Sequence, residues 1–162
     1  MLVLALALVF TACRVSYSFT GADIPKDART VSIDLFDARA PLASPRVAQV
    51  FTETLRDLMQ AQTPLNLTGS DGDVQYAGEI VGYDVQPVNI QSNETAALNR
   101  LTMTVKVRYV NTLDTDKNSE STFSRFADYD SGQDLTSVEE TLVREISDQL
   151  VQDIFDRTLG SW

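Results

Sequence analysis

The chain has 162 residues, with 13 Lys and Arg against 23 Asp and Glu, one Cys and no His. Its net charge of −10 argues against bulk nucleic-acid binding, which needs a basic footprint. Without His or a second Cys, the usual zinc sites, His-based acid–base chemistry and catalytic triads lack their residues, so no metal and no nucleic-acid partner is expected, while paired-carboxylate chemistry stays open by residue type.

The first element is the apolar run from Met1 to Ala12. It is too short to span a bilayer, which takes about 20 apolar residues, but it suits the core of a secretory signal. Val9-Phe10-Thr11-Ala12-Cys13 resembles a bacterial lipobox. That resemblance implies diacylglycerol transfer to the Cys13 sulfur, cleavage after Ala12 and N-acylation, with no cofactor beyond these acyl chains. Residues 1–12 are then a signal peptide and 13–29 a lipidated tether. No Lys or Arg precedes the run, although secretory signals normally start with a basic segment; a start codon placed too late accounts for this. The lone thiol fits, because an exported protein with one cysteine forms no internal disulfide. The alternative is a buried first element with a chance cysteine.

Residues 14–21 form a short polar and aromatic tether, without the long Ser/Gly stalk that would hold a body away from the membrane. Thr30 to Phe36 alternates, apolar at Val31, Ile33 and Leu35, and reads as a strand. Ser44-Pro45 is a helix start with a capping hydroxyl and Pro at the first helical position. Val47, Val50, Phe51, Leu55, Leu58 and Met59 follow amphipathic spacing, and Pro64 ends this helix near Gln62.

Leu65 to Thr68 is a short strand, and Gly69 to Asp73 a turn by composition. Val74 to about Val85 is a long strand in which Gly78 and Gly82 point to bending or close packing, and Pro87 to Ala97 is a loop. Leu101 to Tyr109 alternates without a miss, so one face packs on helices and the other is wet. Asp114 to Asn118 is a hairpin loop. Ser121 to Tyr129 returns as a strand, and its apolar register shifts between Phe123 and Phe126, which suggests a bulge. Thr136-Ser137-Val138-Glu139 fits a capping box. The helix after it carries Val138, Leu142, Ile146, Leu150 and Ile154 on one stripe and runs to about Thr158, stopped by Gly160. Residues 30–162 are therefore one α+β domain, with two helices packed on one face of a small, mostly antiparallel mixed sheet, in the order β-α-β-β-β-β-α.

The chain resembles the LptE-type lipopolysaccharide-assembly lipoproteins, in the form found in Bacteroidetes-like bacteria. The resemblance runs in order through Cys13 to Gly21, Thr30 to Ile33, Phe51 to Leu55 and Gln62 to Leu65, then Gly72-Asp73, Gly78 to Ile80 and Gly82-Tyr83. It continues through Asn99 to Val107, Phe123 to Tyr129, Asp153 to Phe155 and the closing Trp162. The family pattern has Asn where this chain has Asp37, a conservative departure. The resemblance implies a non-catalytic lipoprotein on the periplasmic face of the outer membrane. It would plug an LptD-like β-barrel, help it assemble and assist insertion of lipopolysaccharide into the outer leaflet. Arg14 after Cys13 lacks the acidic residue that retains many lipoproteins in the inner membrane, and no acidic run marks surface export. The alternative is an accessory lipoprotein of another envelope machine, a lipid transporter or a secretion channel. An enzyme or free lipid carrier would need an enclosed pocket.

Arg100, Lys106 and Arg108 share the polar register of the clean strand with Thr102 and Thr104, and Arg125 lies on its expected neighbour. Four cations on one sheet face would meet lipopolysaccharide phosphates through charge-assisted hydrogen bonds. The same pattern fits a solvated face whose cations balance nearby carboxylates, or a contact with the barrel wall. Asp71, Asp73, Asp114, Asp116, Asp128 and Asp130 fall in or beside loops and read as solvated turn residues, because no calcium-loop frame exists. Asp34 is expected inside the first strand and paired. Tyr76, Tyr83, Tyr109, Phe123, Phe126 and Tyr129 are expected to pack in the core or on the sheet. Trp162 fits either a core plug or an interfacial anchor.

Overall fold

The computed structural model describes residues 24–88 and 97–160. Cys13, the tether and Trp162 lie outside the described residues. The elements are β1 (Thr30–Ile33), β2 (Asp37–Ala38), α1 (Pro45–Gln62), β3 (Asn66–Thr68), β4 (Val74–Val88), β5 (Leu98–Asn111), β6 (Ser119–Asp130) and α2 (Leu135–Leu159). They form the expected two helices and a mixed six-stranded sheet, in the order β3-β1-β4-β5-β6, with β2 beside β4. β1 runs parallel to both β3 and β4, β2 runs parallel to β4, and β4, β5 and β6 form an antiparallel meander.

β5 explains the layering. Leu101, Met103, Val105, Val107 and Tyr109 are all at most 2% exposed, so one of its faces is sealed along the whole strand. A period of two leaves the intervening polar residues on the other face. α1 packs against β1, β2 and β3, α2 packs against β5 and β6, and the helices pack on each other. Phe51, Leu55 and Met59 of α1 and Ile146, Leu150 and Ile154 of α2 are fully buried, each contributing about 1.5–3 kcal/mol of transfer free energy. Two hydroxyls tie the sheet to α2. Tyr76 Oη and Thr158 Oγ1 are 2.7 Å apart, and Tyr83 Oη donates to Glu139 Oε1 at 2.7 Å. Burial pushes both phenols well above their ordinary range, and Glu139 adds to the shift at Tyr83.

The first strand is shorter than its alternation suggests. It breaks after Ile33, and the chain re-enters the sheet as β2. Leu35, expected to face inward, is 63% exposed, while Phe36 is 1% exposed in its place. The Phe36 ring meets Phe51 edge-on at a centroid distance of 4.9 Å, and its backbone N–H donates to Thr52 Oγ1 at 3.1 Å. Asp34 lies past the strand end, exposed and without an ion pair among the described residues. Gly78 makes the room for Phe36. A Cβ there would collide with the Lys106 carbonyl and come within 2.6 Å of the Phe36 ring.

Other differences are local. The sheet carries its bulge in β4 and not in β6. The β4–β5 register shifts between Ile80 and Gly82, leaving Val81 as the extra residue, whereas β6 pairs with β5 without interruption. β4 runs on through Pro87 to Val88. Ser44 does cap α1 by position, with Pro at the start, but its hydroxyl makes no capping bond. α2 begins two residues earlier than a capping box starting at Thr136 would place it. Asp134 is its cap and accepts from the Thr136 N–H at 3.2 Å, while Glu139 is engaged by Tyr83 instead. Asp73 is not merely a solvated turn residue. Its carboxylate accepts from Arg29 N, Thr30 N and Thr30 Oγ1 at 2.8–3.0 Å and so fixes the start of β1; these hydrogen bonds hold its pKa below the ordinary carboxylate value.

Gly78→Ala should destabilise the domain by about 1–3 kcal/mol through overpacking against Phe36 and β5. Urea unfolding followed by circular dichroism measures this, and a midpoint equal to wild type would contradict the close approach.

Candidate functional site: the open face of the sheet

The helices cover one face of the sheet, and no described element covers the other over β4, β5 and β6. Cross-strand partners in an antiparallel pair point to the same side. Arg100 lies opposite Asp128, Thr102 opposite Phe126, Thr104 opposite Ser124, Lys106 opposite Thr122 and Arg108 opposite Glu120, and β4 adds Glu79 beside Lys106 and Asp84 beside Thr102. All of these stand on the open face.

Arg125 does not. It lies opposite Met103, which is fully buried on the helix side. Its guanidinium forms a two-pronged pair with Asp153 of α2, Nε to Oδ2 at 2.6 Å and Nη2 to Oδ1 at 2.7 Å. The expectation of four cations on one face is therefore corrected to three, because Arg125 falls one residue out of phase with them across the strand pair. Its role is to clamp α2 over the edge of the sheet.

The three remaining cations differ in how far they are engaged. Arg100 grips Asp128 with two bonds, at 2.7 and 2.8 Å, and lies 3.6 Å above the centre of the Phe126 ring. The guanidinium hydrogen bonds hold the Asp128 carboxyl below its ordinary pKa and raise that of Arg100. Lys106 Nζ meets Glu120 Oε1 at 2.8 Å, and this bond raises the ammonium pKa, with a smaller push from Glu79. Glu79 in turn meets Arg39 Nε at 3.5 Å. Arg108 is exposed and has no ion pair among the described residues. It borders a shallow depression of about 240 Å³ lined by Ala77, Gly78, Glu79, Lys106 and Glu120, and a second of about 160 Å³ that reaches Ser32, Asp34 and Asp71. The face is thus largely a self-neutralising lattice with one free guanidinium.

Phe126 was expected to pack in the sheet, yet it is 46% exposed, while Phe123 is half-buried against the core on the other side. The three-residue separation of these rings carries the signal. In an unbulged strand an odd separation puts two side chains on opposite faces. Among the described residues no group of three or more His, Cys, Asp or Glu side chains is placed to hold a metal ion, and no helix is long and apolar enough to cross a membrane.

Residues 28–158 match the model of the LptE lipopolysaccharide-assembly family. The chain belongs to the LptE family. This bears out the resemblance read from the sequence. Two solved structures share the fold of this LptE-family chain. A minor lipoprotein from Acinetobacter baumannii is 16% identical, with a TM-score of 0.51 over 82% of this chain and 97% of that one. Protein XCC0632 from Xanthomonas campestris is 9% identical, with a TM-score of 0.51 over 83% of this chain and 86% of that one. Likeness at this level of identity is a likeness of fold. No curated protein matches the chain.

Asp128→Asn should lower the melting temperature at pH 7. An aspartate whose pKa is depressed by folding contributes stability above its unfolded pKa and loses it as pH falls through the folded value. The gap from wild type should therefore close as pH drops below about 4. A gap that persists at low pH would show that Asp128 acts by packing instead of by its charge.

Proposed function

We propose that this LptE-family chain is a lipid-anchored lipoprotein of the outer membrane, on its periplasmic face. It plugs and helps assemble an LptD-like β-barrel and assists insertion of lipopolysaccharide into the outer leaflet. The observation that carries this reading is the match to a lipopolysaccharide-assembly family through 131 consecutive positions, residues 28 to 158, including both helices almost entirely and every strand. The lipobox ending in Cys13 supports attachment through acyl chains, which contribute about 0.8 kcal/mol per buried methylene and hold a protein stably when more than one chain is present.

The role is one of contact and not of catalysis, so the domain works as a rigid body. Its polar open face suits a barrel lumen, which is lined by polar residues. Among the cations named from the sequence, Arg108 is the one available to a lipopolysaccharide phosphate. Arg100 and Lys106 would have to give up Asp128 and Glu120, and Arg125 would have to release α2. An arginine offers a phosphate two parallel hydrogen bonds, and because Glu79, Glu120, Asp34 and Asp71 line the depressions beside Arg108, the anion would meet the guanidinium from its solvent side.

Tagged full-length protein, taken from its native envelope in mild detergent, should bring down a large LptD-like barrel in near-stoichiometric amount by mass spectrometry. A preparation without a barrel, or one carrying transporter subunits, would overturn the plug reading. Mass spectrometry of the wild-type N-terminus should find a mature chain that starts at an acylated Cys13, and a mature chain without acyl mass would contradict the acyl anchor.

A further inference from the structure

We infer that the open face of β4, β5 and β6 is the surface this domain presents to its barrel partner, with Phe126 and the Arg100 stacked on it as the central anchor. This rests on the plug reading and adds to it the choice of face.

The choice follows from how the two broad surfaces carry charge. The outer surface of the helix layer exposes Glu53, Asp57, Glu145 and Asp148, none of which is in an ion pair among the described residues, while Arg46 and Arg144 both spend themselves on Glu140. Docking that surface would strip water from carboxylates with no counter-charge, which is costly. On the open face Asp128, Glu120 and Glu79 each already touch a cation, and Asp84 is left as an exposed carboxylate with no ion pair among the described residues. The charges of these three are neutralised before any partner arrives, so covering that part of the face costs less than covering the four unpaired carboxylates of the helix layer. The hydroxyls of Thr104 and Ser124 are similarly paired, at 3.0 Å.

The same face holds the exposed aromatic. Interface centres are enriched in aromatic residues and arginine and depleted in uncompensated charge. Arg100 lies over the face of the Phe126 ring, and Arg100 is held in turn by two bonds to Asp128. The pair is therefore fixed in position before binding, which lowers the entropic cost of docking. The polar surroundings of Phe126 also match a polar lumen wall better than lipid chains, so the occupant is the barrel wall and not the bilayer.

The experiment uses full-length protein in its native envelope. A photo-crosslinking residue is placed by Phe126→p-benzoylphenylalanine, and, as a control on the helix layer, by Asp57→p-benzoylphenylalanine. In parallel, Phe126→Glu is carried through the mild-detergent pull-down, with its melting temperature checked against wild type. Because Phe126 is surface-exposed, the variant should fold. The expected result is a crosslink to the barrel from position 126 and none from 57, with barrel recovery by Phe126→Glu reduced about tenfold or more. If wild type recovers the barrel but position 57 crosslinks to it and 126 does not, the plug reading stands and the assignment of the face is overturned. Unchanged recovery by a folded Phe126→Glu overturns it as well. A crosslink from 126 to lipopolysaccharide alone makes the face a ligand surface and overturns the barrel assignment. If wild type brings down no barrel, the plug reading falls and the assignment falls with it.

Discussion

The alternation of β5 constrains the rest of the molecule. Leu101, Met103, Val105, Val107 and Tyr109 sit on one face and are almost wholly removed from water, and a strand cannot rotate one residue without rotating all of them. Both helices must therefore lie on that side. Arg100, Lys106 and Arg108 are forced to the other. Because β6 pairs with β5 in unbroken register, the facing of every β6 side chain is inherited from β5. Phe126 is pushed outward and Arg125 inward by one rule.

A second constraint closes the parallel edge of the sheet. Phe36 fills the space over Gly78 and meets Phe51 of α1. To bring Phe36 inward, the chain leaves the sheet at Asp34, turns Leu35 out to solvent and returns as β2. The buried Phe36 N–H, freed by this break, is taken by Thr52, whose hydroxyl also donates to the Ala48 carbonyl at 2.7 Å. A buried N–H left without a partner costs about 1–3 kcal/mol, so a threonine in the middle of α1 has a clear purpose. Asp73 does comparable work at the other end of β1, tying Thr30 to the turn before β4.

These constraints give the domain two unlike surfaces. The helix layer is acidic and solvated, and the open sheet face is polar with its charges largely internally matched. Under the proposed plug function, a domain that acts by contact has reason to keep these surfaces distinct. A neutral lattice lets the sheet face approach another wall, while the exposed, unpaired Arg108 keeps one cation free at the border of that lattice. An acidic outer layer discourages self-association through the helices, since like charges would meet.

Much of the architecture was legible in the residue pattern. The amphipathic stripes of α1 and α2, the nine-residue alternation of β5 and the ordered family stretches each depend on local periodicity or local composition, and these are properties a linear chain displays. The choices left to the tertiary structure were choices between neighbours. Leu35 and Phe36 are both apolar, and only the shape of the pocket over Gly78 and against Phe51 decides which of them turns inward. Arg125 and Phe126 are adjacent, and only the register of β6 on β5 decides which one reaches Asp153 and which one faces outward. Glu139 could have closed a capping box, but the hydroxyl of Tyr83, brought in from 56 positions away, takes it instead. Periodicity sets which residues share a face; the packing of that face against distant parts of the chain sets its phase and its partners.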